Sequence, residues 1–135
     1  MPESLPPNFD WVTARAKCSP YEMYETLLGA AKENVNARNK SLGYADDRLG
    51  DRFLPCGVIV HTRSFSVFGP ANGDRRSVEF AYTSDSILIE PMLGEKVKVT
   101  LSLNDNAVCG LKIGVQILDP WQVLRRFLEP VLFGA

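Results

Sequence analysis

The sequence holds few of the residues that most often carry chemistry. His61 is its only histidine, so any mechanism that needs imidazole near neutral pH must use that side chain. The three cysteines, Cys18, Cys56 and Cys109, show neither CxxC nor CxH spacing, which removes the usual zinc frameworks, and an odd number argues against a secreted disulfide scaffold. They read as reduced thiols acting as small buried hydrophobes, and neither a metal nor a cofactor is expected. Fifteen Lys and Arg against sixteen Asp and Glu leave a formal net charge of −1. No cationic excess is present to hold a phosphate backbone, and nucleic acid is not an expected partner. No run reaches the roughly 18 apolar residues of a membrane span, and Met1–Pro7 lacks the basic and apolar regions of a leader. No membrane insertion and a cytoplasmic location are the expectations.

What is present is a chain of 135 residues, 45% hydrophobic and 23% charged, the size and composition of one soluble globular domain. The expected organisation is a single domain over 1–135, with an N-terminal arm at 1–8, a strand–helix–sheet body at 11–118 and a C-terminal helix at 119–133. The polar stretch at 39–52 is linker-like but too short to separate domains.

Residues 11–18 alternate: Val12, Ala14, Ala16 and Cys18 share one face and Trp11, Thr13, Arg15 and Lys17 the other, the period of a half-buried strand. Ser19-Pro20-Tyr21-Glu22 then supplies a cap, a first-turn proline and a glutamate able to reach back to the cap amide. This predicts a helix to about Asn39 with Tyr24, Leu27, Leu28, Ala31 and Val35 on its apolar face. Residues 57–68 are β-branched and aromatic, one bent strand or two short ones.

From residue 77, turns at 83–86, 93–95 and 104–106 separate four alternating runs, an antiparallel meander. Pairing Phe80 with Ile89 and Tyr82 with Ile87 places Glu90 opposite Lys98, Leu101 opposite Cys109 and Val99 opposite Leu111. One face then carries Val78, Phe80, Tyr82, Ile87, Ile89, Val97, Val99, Leu101, Leu103, Leu111, Ile113, Val115 and Ile117. The other carries Glu79, Glu90, Lys98, Lys112 and Gln116. Asp119-Pro120-Trp121-Gln122 opens a final helix with Trp121, Leu124, Phe127, Leu128, Val131 and Leu132 at helical spacing, and Pro130 is expected to kink or fray its last turn.

The expected class is therefore α+β: a curved antiparallel sheet of about six to seven strands gripping a C-terminal helix, in the order β-α-β(5–6)-α. That order, with the segment from Trp11 to Tyr24 as a strand running into a Pro/Glu-headed helix, resembles the helix-grip fold of the START, pollen-allergen-like and polyketide-cyclase-like superfamily. A final helix of about 14 residues is shorter than in that family, which bears on cavity size. The resemblance implies a cavity between sheet and terminal helix for a small hydrophobic molecule, with cyclase, aromatase or hydrolase chemistry in some members. Fold alone does not choose among these.

On this reading His61, Arg63, Phe80, Tyr82, Ile89, Val99, Leu111, Trp121 and Phe127 are the candidate ligand-binding residues. The ordinary alternatives stand beside them: a solvent-facing His61, and aromatics that simply fill the core. The charged run Tyr44–Arg52 is a solvated loop before it is a lid or cation site. The segment Gly69–Gly73 is a turn without the lysine of a phosphate loop. Glu79 and Glu90 form a solvated ladder, not a glycosidase pair. The leading functional expectation is binding of a small hydrophobic molecule. The alternative is a protein-interaction module with a filled core, a homodimer joined through Pro130–Phe133 or a sheet edge. An enzyme using His61 or Tyr82 ranks third.

Overall fold

The structure is a computed structural model, and it describes residues 5–41, 56–69 and 76–133. The charged run Tyr44–Arg52, most of the Gly69–Asp74 turn and the first four residues of the N-terminal arm lie outside the described residues. Two helices, α1 (Trp11–Lys17) and α2 (Pro20–Ser41), precede seven strands: β1 (Gly57–Val60), β2 (Ser64–Phe68), β3 (Ser77–Tyr82), β4 (Ile87–Pro91), β5 (Val97–Leu103), β6 (Cys109–Ile113) and β7 (Gln116–Leu118). Helix α3 (Pro120–Phe133) follows. The α+β class, the antiparallel sheet and the terminal helix are as the sequence predicts.

The opening element is not. Residues 11–17 are helical because Asp10 caps them: its carboxylate accepts from the Thr13 amide at 3.0 Å and from the Thr13 hydroxyl at 2.6 Å. Ala14, Arg15, Ala16 and Lys17 are all good helix formers. No residue of α1 is buried, so the alternation in this segment did not mark a core face. Helix α2 starts at the predicted cap, where Ser19 Oγ accepts from the Glu22 amide at 3.2 Å. It buries Met23, Tyr24, Leu27, Leu28, Ala31 and Val35.

The strands lie in sequence order, all antiparallel, with β1 and β7 as edges. Phe80 faces Ile89 and Tyr82 faces Ile87, as predicted. Beyond that hairpin the register differs by two residues. Leu88 faces Lys98 and Ile89 faces Val97, so Glu90 pairs instead with Lys96 at 3.7 Å. The Met92 amide donates to Ser77 on the β3 side at 2.9 Å, so the neighbouring residue, Pro91, is the one whose amide would face β5. Proline has none, and the β4–β5 ladder stops.

The next hairpin shifts likewise, pairing Leu101 with Leu111 and Leu103 with Cys109. Its loop is Asp105–Ala107, closed by Asn104 Oδ1, which accepts from the Asn106 and Val108 amides at 2.8 and 2.9 Å, with Ala107 at φ 61°. A slip of two leaves every side chain on its predicted face, because the pleat repeats every two residues. The exceptions are Val115, Gln116 and Ile117. Gly114, at φ +61°, opens a two-residue turn that pairs Ile113 with Gln116 and Lys112 with Ile117. Ile117 therefore joins the polar face and Val115 is 96% exposed at the turn, the geometry that glycine at the first turn position permits.

Cys18 and Cys109 are joined as a disulfide, with Cα atoms 5.3 Å apart across 91 residues of sequence, which corrects the expectation of three reduced thiols. Cys56 is free and buried.

Helices α2 and α3 pack on one another and on one face of the sheet, α2 against β1 and β3, α3 against β2, β3 and β6. The predicted cap of α3 closes through Gln122 Oε1, which accepts from the Asp119 amide at 2.8 Å. The helix continues past Pro130 to Phe133 without a frayed end. Val131 and Leu132 are buried beyond the proline, and this tertiary burial outweighs the lost amide hydrogen bond.

Candidate functional site

The middle of the sheet–helix interface is filled. Phe65, Phe80, Ile87, Ile89, Val99 and Leu111 have no accessible surface, so none of them borders a void that admits water. Phe80 stacks on Phe65 with centroids 4.8 Å apart and meets Phe127 edge-on at 6.4 Å, contacts that tie α3 to the sheet. Four of the candidate ligand-binding residues, Phe80, Ile89, Val99 and Leu111, are thus core side chains.

The others are dispersed. His61 and Arg63 are exposed at the β1–β2 turn, where the His61 amide donates to Ser64 at 2.7 Å and the Arg63 carbonyl accepts from Tyr82 at 3.2 Å. Tyr82 is half-buried in a cluster with Tyr21 and Tyr24, at centroid distances of 5.4 and 4.7 Å. The Tyr24 hydroxyl is buried without a hydrogen-bond partner among the described residues. Burial, then Glu25 and Tyr82, raise its pKa above the ordinary tyrosine value. Trp121 is 60% exposed on the outer side of α3. Of the nine candidates, Phe127 lines a concavity between sheet and helix.

That concavity has a volume of about 320 Å³ and lies where the start of β3 and the end of β4 meet the second half of α3. Arg76, Ser77, Pro91, Met92 and Leu93 form its sheet wall, and Arg126, Phe127, Pro130 and Val131 its helix wall. Two backbone contacts hold the walls in place. The Gly69 amide donates to the Arg76 carbonyl at 2.8 Å. The position a Gly69 Cβ would take is occupied by the Val131 carbonyl oxygen, so only glycine lets the β2 terminus approach α3 this closely. Arg126 lies over the Phe127 ring, 5.6 Å from its centroid.

A second, larger groove of about 490 Å³ runs between α2 and α3 on the outer side of the helices, flanked by Trp121 and Phe133. Its charged side chains are already engaged. Arg125 Nε donates to Glu129 at 3.1 Å, and Arg38 Nε to the Leu132 carbonyl at 3.0 Å. Among the described residues, no group of three or more His, Cys, Asp or Glu side chains is placed to hold a metal ion, and no helix is long and apolar enough to cross a membrane.

Apart from Phe127, none of the pocket residues was read from the sequence as ligand-binding. Two apolar residues in a turn, Met92-Leu93, are the one signal that marked them, because turns are ordinarily polar. No protein-family model matches the chain, and no curated protein or solved structure is similar to it.

Proposed function

We propose that the protein binds a small apolar molecule between its sheet and its C-terminal helix, in the pocket at the β3–β4 end and not in the middle of the sheet. The observation that carries this reading is the exposure of Met92 and Leu93 beside Phe127 and Val131 in one concavity. Its volume is at the lower end of small-molecule sites, which run from roughly 300 to 1,000 Å³. The seven-stranded antiparallel sheet with a terminal helix supports a helix-grip architecture, in a variant where α1 replaces the opening strand.

Methyl NMR tests the site directly. Titration with 1-decanol is expected to shift the Met92, Leu93 and Val131 methyl signals while those of Ile89, Val99 and Leu111 stay in place. Met92→Trp, which fills the mouth from an exposed position, is expected to abolish the shifts. Shifts spread over the core methyls, or none at all, would refute the reading.

Two further points follow from specific contacts. The cytoplasmic expectation was drawn from the lack of a leader-like start and of a long apolar run, and a Cys18–Cys109 disulfide favours an oxidising compartment instead. The filled core and the exposed Val115 and Ile117 beside edge strand β7 favour, as the second reading, a homodimer paired through that edge. Light scattering separates the two readings: a dimer that Ile117→Lys converts to monomer supports the second, and a monomer at every concentration removes it.

A further inference from the structure

We propose that the protein pairs with a second copy of itself through the outer row of α3, the two helices lying antiparallel about a two-fold axis between Arg125 and Glu129. This goes beyond the ligand reading and uses a surface separate from edge strand β7. Trp121, Arg125, Glu129 and Phe133 follow one another at intervals of four residues, so they form one ridge along the helix. All four are exposed, the two aromatics at 60% each, whereas the neighbouring row Leu124, Leu128 and Leu132 is buried. A 14-residue helix thus presents a large aromatic side chain at each end of its outer row, and aromatics of this kind are enriched where proteins meet.

The order of the four residues selects a second copy as the partner. Read from either end, the ridge runs aromatic, charged, charged, aromatic, and its two charges are opposite in sign. Laid antiparallel on itself, it sets Trp121 against the partner's Phe133 and Arg125 against the partner's Glu129, and each contact occurs twice, as an isologous interface requires. Helices that interdigitate through rows of this spacing cross at about 50°, which keeps the two rows side by side along their length. The groove of about 490 Å³ between α2 and α3 is bordered by all four ridge residues, so each copy offers a slot beside its own ridge. Within one chain Arg125 uses Nε to reach Glu129 Oε2 at 3.1 Å. A guanidinium has five N–H donors, and its terminal nitrogens suit a second carboxylate, from the partner. Two arginines and two glutamates then alternate around the axis, and each charge is compensated as it loses water. The β3–β4 pocket draws on Arg126, Phe127, Pro130 and Val131 of α3, none of them in this row.

Sedimentation equilibrium of the full chain and its charge variants tests the pairing. The unmodified protein is expected to form a dimer that Ile117→Lys leaves intact. Arg125→Glu and Glu129→Arg, each alone, set like charges against one another at both symmetric contacts, and each is expected to weaken the dimer at least about tenfold. An equimolar mixture of the two variants is expected to restore it, because one chain then offers two carboxylates to the two guanidiniums of the other. The chain carrying both substitutions is expected to dimerise as well, since it only exchanges the two ends of the pair. Both positions are exposed, so an unchanged circular dichroism spectrum is expected to show that the single variants remain folded. A monomer at every concentration up to about 1 mM, a dimer indifferent to both single substitutions, or single variants whose mixture stays monomeric overturns the proposal. A dimer that Ile117→Lys splits and the charge variants do not belongs to the β7 edge, and overturns it equally.

Discussion

Arg38 Nε donates a buried hydrogen bond of 3.0 Å to the carbonyl oxygen of Leu132, joining the last turn of α2 to the last turn of α3. The carbonyls that end a helix have no partners within it and carry the negative end of its dipole, so a guanidinium there satisfies both needs. The adjacent Asn39 extends the junction, its side chain exchanging two hydrogen bonds with the Cys56 backbone at 3.0 and 2.9 Å. The two helix ends and the entry to β1 thus form one polar joint beneath the core.

Arg38→Met is expected to lower stability by about 2 kcal/mol, the range for a lost hydrogen bond to a charged group less the relief of a buried charge. Arg38→Lys is expected to recover little, because an ammonium cannot reproduce the Nε geometry. Arg38 also holds the Cys56 thiol pKa down against its burial, so Arg38→Met is further expected to slow Cys56 alkylation at fixed pH. Urea unfolding and thiol-reactivity assays check the two effects. Unchanged unfolding midpoints would sink the idea of a polar joint.

Gly69 and Gly29 are expected to respond to alanine with opposite signs. At Gly69 a Cβ meets the Val131 carbonyl oxygen, a backbone atom that cannot rotate away, and overpacking of this kind costs about 1–3 kcal/mol. At Gly29, exposed within α2, a Cβ meets nothing, and alanine in a helix gains about 0.5–1 kcal/mol over glycine. Thermal melts of the two variants give the comparison directly. Because Val131 lines the pocket, Gly69→Ala is also expected to weaken 1-decanol binding.

The faces of the meander were legible in the sequence because strict alternation over four runs leaves few consistent registers, and inward Phe80, Ile89, Val99 and Leu111 follow from it. Register to within two residues was not legible, since a slip of two preserves every face. Residues 11–17 were misread because alternating Ala with Arg, Lys and Thr satisfies a period of two by accident, while the Asp10–Thr13 cap carried the better signal. The disulfide and the pocket were hidden for a shared reason. Each joins residues far apart in sequence, Cys18 with Cys109 and Met92 with Arg126, whose proximity depends on how α1, α2 and α3 sit on the sheet.

The Cys18–Cys109 bond fastens the α1–α2 corner to β6 and closes a long loop of chain. On the chain-entropy account, closing a loop of that length stabilises the fold by about 4–5 kcal/mol, an upper figure that native-state strain reduces. Treatment with dithiothreitol, or the double substitution Cys18→Ser with Cys109→Ser, is expected to lower the melting temperature by well over about 10 °C. Equal melting temperatures with and without reductant would show that the bond contributes nothing.

Stability is expected to fall on the alkaline side, and the sign follows from two buried acids whose pKa values are raised. Burial pushes the Cys56 thiol above its ordinary value of 9.0, with Arg38 opposing. Burial, Glu25 and Tyr82 push the Tyr24 phenol above 10.0. In both cases the fold favours the protonated form, so the unfolded chain loses its proton first and binds fewer protons than the native state over that interval. Stability is therefore complete below about pH 9, declines first as the unfolded thiol ionises, and declines further above about pH 10. Cys56→Ala is expected to flatten the first part of the decline. Tyr24→Phe is expected to flatten the second and, at neutral pH, to leave stability unchanged or raise it by about 1 kcal/mol, because the hydroxyl it removes is buried without a partner among the described residues. Urea midpoints measured from about pH 7 to about pH 11 separate the two limbs. A Tyr24→Phe variant that loses stability at pH 7 would mean that its hydroxyl is hydrogen-bonded in solution, and an alkaline slope unaltered by either substitution would assign the decline to other groups.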